Sequence, residues 1–152
     1  MGKHSGFLLQ WHNTRDILAF FGDDLDRYIM VVVGGGLGSL ARYIVGNAIN
    51  SRLSGRFPLG TMIVNITGSF LIGVLMILLT QRLVHPNWRL LFVVGFLGGY
   101  TTFSTFEFET YLAFREGAYW VCLVNVLGSV MFGFAGVWLG AALGQKWLRI
   151  PQ

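Results

Sequence analysis

The chain is poor in charge. Lys, Arg, Asp and Glu together make up 12% of its 152 residues, against roughly a quarter in soluble domains. That scarcity excludes an ordinary water-soluble globule. The net charge of +4 comes from basic residues scattered along the chain rather than gathered into a stripe, which excludes a nucleic-acid-binding surface. The three histidines, His4, His12 and His85, all fall outside the long apolar runs. An intramembrane nucleophile or metal site built on histidine is therefore excluded, and with it the usual intramembrane enzyme. The single cysteine, Cys122, has no partner for an internal disulfide and no metal-ligating neighbours, so it reads as an inert, buried thiol. At the N-terminus, Phe7 to Trp11 is too short and too interrupted for the apolar core of a signal peptide.

What is present in quantity is apolar surface, at 54% of residues. One domain is expected at this length, in the membrane class. Four segments reach the roughly 20 apolar residues that cross a hydrocarbon core. They run from about Tyr28 to Asn50, Leu59 to Leu83, Trp88 to Phe114 and Tyr119 to Gly144. Short polar connections lie at Arg52 to Pro58, His85-Pro86-Asn87 and Arg115-Glu116-Gly117. The expected organisation is an N-terminal extension over 1–27, a four-helix membrane domain over 28–147 and a tail over 148–152. Leu8, Trp11, Leu18 and Phe21 recur at near-helical spacing, as in an amphipathic helix lying on a membrane surface. A structureless tail is the alternative. Gly22-Asp23-Asp24 is expected to break the extension from the first span.

Glycines recur at four-residue spacing at Gly34 and Gly38, Gly95 and Gly99, and Gly136, Gly140 and Gly144, and Ser69 and Gly73 share that spacing. Small residues let membrane helices touch backbone to backbone. So much of this surface in a four-helix subunit favours a homo-oligomer over packing within one subunit. Arg27, Arg82, Arg89, Lys146 and Arg149 flank one side, and Arg52, Arg56 and Arg115 the other, with Arg42 close by. That balance gives little orientation bias and permits insertion both ways.

One stretch breaks the apolar pattern. In Gly98-Gly99-Tyr100-Thr101-Thr102-Phe103-Ser104-Thr105-Phe106 two glycines weaken a helix and β-branched threonines do not restore it. Backbone that leaves the helix at membrane depth is tolerated only where it is buried in protein or lines a cavity, so this stretch marks an ion or solute site. Phe103 and Phe106 share a helical face. They are either packing residues or a pair whose positive ring edges hold an anion beside Ser104 and Thr105. Thr61, Asn65 and Gly68/Ser69 share a face of the second helix, and Asn125 and Ser129 one of the fourth. Each stripe is either an interhelical bonding stripe or a row of donors to an anion. Arg42 is either a snorkelling side chain or a positive charge at a pore mouth. Glu107 and Glu109 point about 200° apart on a helix and do not form an acid/base pair.

These residues resemble the Fluc (CrcB-type) fluoride channels over about Ile29 to Gly144. The resemblance rests on Gly34-Gly35-Gly36-x-Gly38-x-x-x-Arg42-Tyr43, on Gly60-Thr61-x-x-x-Asn65-x-x-Gly68-x-Phe70-x-x-Gly73, and on Gly95-x-x-Gly98-Gly99-x-Thr101-Thr102-Phe103-Ser104-Thr105-Phe106. It implies an all-α membrane protein with four transmembrane helices, the third broken mid-membrane, assembled as an antiparallel, dual-topology homodimer in the inner (plasma) membrane. Fluoride would be the permeant ion. Phe103 and Phe106 would present ring edges to it and Asn65 would donate a hydrogen bond. Ser104, Thr105 and Glu109 would continue a polar track, joined by the hydroxyls of Thr61 and Ser129, with Arg42 at the entrance. The carbonyls of Gly98 and Thr101 would hold a structural sodium ion shared by both subunits. Glu107, where similar channels carry a small residue, and Gly133, where some carry serine, depart from the pattern. The main alternative is a small dual-topology, proton-coupled exporter of cations or drugs. It needs a carboxylate in the pore, and the first, second and fourth spans have none.

Overall fold

The computed structural model describes residues 14–53, 55–80 and 86–148, with the backbone alone over 14–23 and at Pro86. His4, Leu8, Trp11, His12, Arg82, His85 and Arg149 lie outside the described residues, as do the side chains of Leu18 and Phe21. Helix α1 covers Thr14–Arg52 and α2 covers Leu59–Thr80. The third span is composite: α3 (Pro86–Arg89), a π-helix (Leu90–Leu97), α4 (Gly98–Tyr100) and α5 (Phe103–Arg115). Helix α6 covers Tyr119–Leu148. Among the described residues, four stretches are long and apolar enough to cross a membrane: Asp24–Arg52, Leu59–Thr80, Asn87–Arg115 and Tyr119–Leu148. The protein is a multi-pass membrane protein. The expected break at Gly22-Asp23-Asp24 does not occur, because α1 runs through it. One glycine costs a helix about 1 kcal/mol, too little to stop one already propagating, and Asp24 pairs with Arg27 at 2.8 Å one turn on.

The helices pack as two seams. The more extensive joins α2 to α6, and the other joins α1 to the π-helix and α4. Both are glycine seams. A methyl on Gly34 would strike the Leu91 carbonyl oxygen, one on Gly38 that of Phe96 and one on Gly99 that of Gly35. Across the other seam, Gly73 faces the Val137 carbonyl and Gly140 that of Phe70. The four-residue glycine stripes are therefore engaged within a single chain, and their spacing gives no evidence for an oligomer. The apolar core is small, with Val64, Leu97 and Tyr100 at its centre. Large apolar side chains are exposed on every helix longer than a turn, as a hydrocarbon solvent requires. The chain reverses between α5 and α6 at Gly117, whose φ of 72° is the left-handed value a glycine C-cap supplies.

The third span breaks three residues later than its glycines suggest. Gly98 is helical (φ −62°, ψ −37°), and its N–H bonds to the carbonyls of Gly95 and Val93. The extended residues are Thr101 (φ −81°, ψ 158°) and Thr102 (φ −150°, ψ 118°). Gly98 and Gly99 keep the helix because Gly99 lies directly on the α1 backbone at Gly35. The β-branched pair that follows accepts the extended form readily.

Because both neighbours are backbone and cannot swing aside, Gly38→Ala and Gly140→Ala should each lower subunit stability by about 1–3 kcal/mol, the usual cost of overpacking. Gly36→Ala meets nothing within 4 Å and should leave thermal unfolding in detergent unchanged. Fluorescence-detected melting of the three variants checks this.

Candidate functional site: a broken helix clamped by α2

The break is held by a side chain of α2. Asn65 Nδ2 donates to the Thr102 carbonyl at 2.9 Å, and the Thr102 N–H donates to Asn65 Oδ1 at 2.8 Å. This reciprocal pair fixes the amide's orientation and satisfies both polar groups of an extended residue that has no strand partner. The helix N-terminal to the break ends at Thr101, whose N–H and hydroxyl both donate to the Leu97 carbonyl, at 3.0 and 2.9 Å. Beyond it, Thr102 caps α5: its Oγ1 accepts from the Thr105 N–H at 3.3 Å and donates to the Thr105 hydroxyl at 2.9 Å. In a continuous helix the Thr102 N–H would donate to Gly98 and the Thr105 N–H to Thr101. Here Asn65 and the Thr102 hydroxyl take those donors, so the Gly98 and Thr101 carbonyls lose their helical partners.

Two clefts flank this clamp. The first, of about 390 Å³, is lined by Asn65, Ser69, Gly98, Thr101, Phe103 and Phe106, with Ser129 from α6. The Phe103 and Phe106 rings stand 5.8 Å apart, tilted by 40°, and Phe103 is 70% exposed on the subunit surface. The second cleft, of about 420 Å³, is lined by Arg42, Tyr43, Asn47, Asn50, Thr61, Thr105 and Glu109. Thr102 borders both clefts. The expected site residues are thus divided. Asn65, Phe103, Phe106, Ser129, Gly98 and Thr101 meet at the first cleft, and Arg42, Thr61, Thr105 and Glu109 at the second. Ser104 is exposed and lines neither.

The donor inventory differs between the clefts. Asn65 uses one amide hydrogen on Thr102 and keeps its second. Ser129 Oγ is buried without a partner. Among the described residues, none that lines the first cleft is ionisable. In the second, Thr61 donates to Glu109 Oε1 at 2.9 Å, while Glu109 Oε2 is buried without a partner. Asn125 belongs to neither cleft: its Nδ2 donates to the Thr110 hydroxyl at 2.8 Å, tying α6 to α5. Cys122 donates to the Thr110 carbonyl at 3.3 Å, a packing role. Glu107 is exposed on the face of α5 away from Glu109.

Sequence reasoning did not single out Asn47 and Asn50, although their spacing from Tyr43 and Arg42 on one helix was the available signal. Asn50 also has a structural task, since its Oδ1 accepts from the Gly60 N–H in the first turn of α2 at 3.1 Å.

A family profile described as "CrcB-like protein, Camphor Resistance (CrcB)" matches residues 29–141. A protein of Solibacter usitatus named "Fluoride-specific ion channel FluC" is 61% identical over 121 residues, covering 79% of this chain and 99% of the relative. Proteins of the same name from Hydrogenobaculum sp. and Coxiella burnetii are 48% and 46% identical, each covering 78% of this chain and 97% of the relative. The profile reaches into all four membrane segments and covers the clamp, and the chain belongs to the CrcB-like family.

Proposed function

We propose that the protein is a fluoride-selective channel that lets fluoride leave the cell passively and so lowers its cytoplasmic concentration. The observation that carries this reading is the first cleft, where two phenylalanine rings meet uncharged donors that have bonding capacity left over. Moving a bare, strongly hydrated anion into low dielectric costs tens of kcal/mol by Born estimates. A conducting site has to replace that hydration and still release the ion. The free Asn65 amide hydrogen, the Ser129 hydroxyl and the positive ring edges of Phe103 and Phe106 are donors of middling strength suited to that task. Arg42 in the second cleft raises the local anion concentration at the entrance. Thr61, Thr105 and Glu109 line that entrance. Ser104 belongs to the polar track only where a second subunit covers it.

The channel works as an antiparallel, dual-topology homodimer in the inner (plasma) membrane. A ring as exposed as Phe103 cannot hold a dehydrated ion against lipid, so a second copy has to close the cleft. The balanced distribution of basic residues at the span ends is compatible with insertion in both directions. The Gly98 and Thr101 carbonyls, stripped of their helical donors, suit a hard monovalent cation such as sodium, which would neutralise their dipoles and tie the two subunits together.

Purified protein in potassium fluoride-loaded liposomes should release fluoride on addition of valinomycin, read with an ion-selective electrode. In potassium chloride-loaded liposomes, chloride release should stay at background. Equal release of both ions would defeat the reading.

Phe106→Ile removes a ring edge, and Asn65→Asp replaces the amide donor with a carboxylate facing the Thr102 carbonyl. Each should cut fluoride flux about tenfold or more, the factor that goes with ~1.4 kcal/mol, with the gel-filtration volume unchanged. Wild-type flux in both variants would remove these residues from the path.

A further inference from the structure

The clamp on Thr102 holds only one end of the break. At the other end Tyr100, the last residue of α4, is 7% exposed and its hydroxyl lies 2.9 Å from Thr67 Oγ1. The direction of that bond follows from the neighbours. Thr67 Oγ1 also sits 2.8 Å from the Ile63 carbonyl and 3.0 Å from that of Val64. Carbonyls only accept, so the single threonine hydrogen goes to them, and Tyr100 donates to Thr67. The ring is held flat by Phe96, stacked at 6.0 Å with planes 8° apart.

The break therefore crosses α2 between two anchors. By helix geometry Thr67 projects about 100° to one side of Gly68 and Asn65 about 60° to the other. Gly68 lies directly under the crossing: a Cβ there would strike the Thr101 methyl and stand 3.4 Å from the Tyr100 ring. Two anchors on opposite flanks fix the angle of the extended pair, and with it the direction in which α5 launches Phe103 and Phe106. One anchor alone would leave the crossing free to pivot about Asn65.

We infer that the Tyr100–Thr67 hydroxyl pair is a positioning latch that fixes the angle of the helix break and thereby the placement of the Phe103–Phe106 cleft. Its effect on conduction rests on the fluoride-channel reading, whereas its effect on the backbone does not.

Tyr100→Phe removes only the hydroxyl, Thr67→Val removes its acceptor, and Thr67→Ser keeps it. Fluoride flux in liposomes should fall several-fold in Tyr100→Phe and in Thr67→Val, stay at wild type in Thr67→Ser, and fall no further in the Tyr100→Phe/Thr67→Val double variant. Hydrogen–deuterium exchange should quicken about tenfold across peptides covering 101–106 in Tyr100→Phe while α6 keeps its protection. Unchanged exchange over 101–106, or single losses that multiply in the double variant, would overturn the latch. Absence of fluoride flux in the wild-type protein would instead sink the channel reading and leave the exchange result to decide the latch.

Discussion

A peptide group without a partner in hydrocarbon is the constraint on which this structure turns. Leaving the helix for two residues at Thr101 and Thr102 uncovers backbone polar groups in a solvent that offers no hydrogen bonds, at several kcal/mol each. The second helix resolves this on site. Asn65 returns both a donor and an acceptor to Thr102, and the Thr102 hydroxyl caps the helix that restarts. What is left over is directional: carbonyls at Gly98 and Thr101 whose usual donors are engaged elsewhere. A local defect becomes a defined array of backbone groups.

Such an array needs rigid walls, and the two glycine seams provide them. Where helices touch backbone to backbone, as Gly38 does at Phe96 and Gly140 at Phe70, the helix axes have almost no freedom to slide. The N-terminal half of the third span is thus fixed against α1, while α2 is fixed against α6. Asn65 and Thr67 then tie one seam to the other across the break. Rigidity matters because a site that replaces hydration has to hold its donors in place before the ion arrives.

Much of this was legible in the sequence, and the failures have physical causes. Four spans follow from hydropathy alone, because lipid leaves no other way to place such runs. The break was legible as a region, through glycine pairs and hydroxyls inside an apolar run. Its position was less so: propensity assigns the weakness to Gly98 and Gly99, yet both are helical, with Gly99 packed on the α1 backbone at Gly35. The glycine stripes were read correctly as close-packing surfaces; the contacts they make here lie within one chain, and spacing alone does not say whose backbone comes near. Asn65 was legible as a costly carboxamide needing a partner. That its partner is the backbone of Thr102, 37 residues away, is a fact of the fold. The Tyr100–Thr67 pair was hidden because tyrosine and threonine are unremarkable in membrane helices.

If the proposed reading holds, the separation of the site into two clefts bears on how an anion is captured and released. A guanidinium beside a dehydrated anion in low dielectric would bind it strongly enough to trap it, because Coulomb attraction grows as the dielectric falls. With Arg42 in the second cleft, and neutral donors with aromatic edges in the first, the proposed path would avoid that trap. The Asn65–Thr102 clamp stands between the two environments: Thr102 borders both clefts, and Asn65 lines the aromatic one. On the proposed reading, the group that makes the break tolerable in lipid is also the one at which an ion passes from long-range attraction to short-range solvation, so the stability of the fold and the permeation path depend on the same amide.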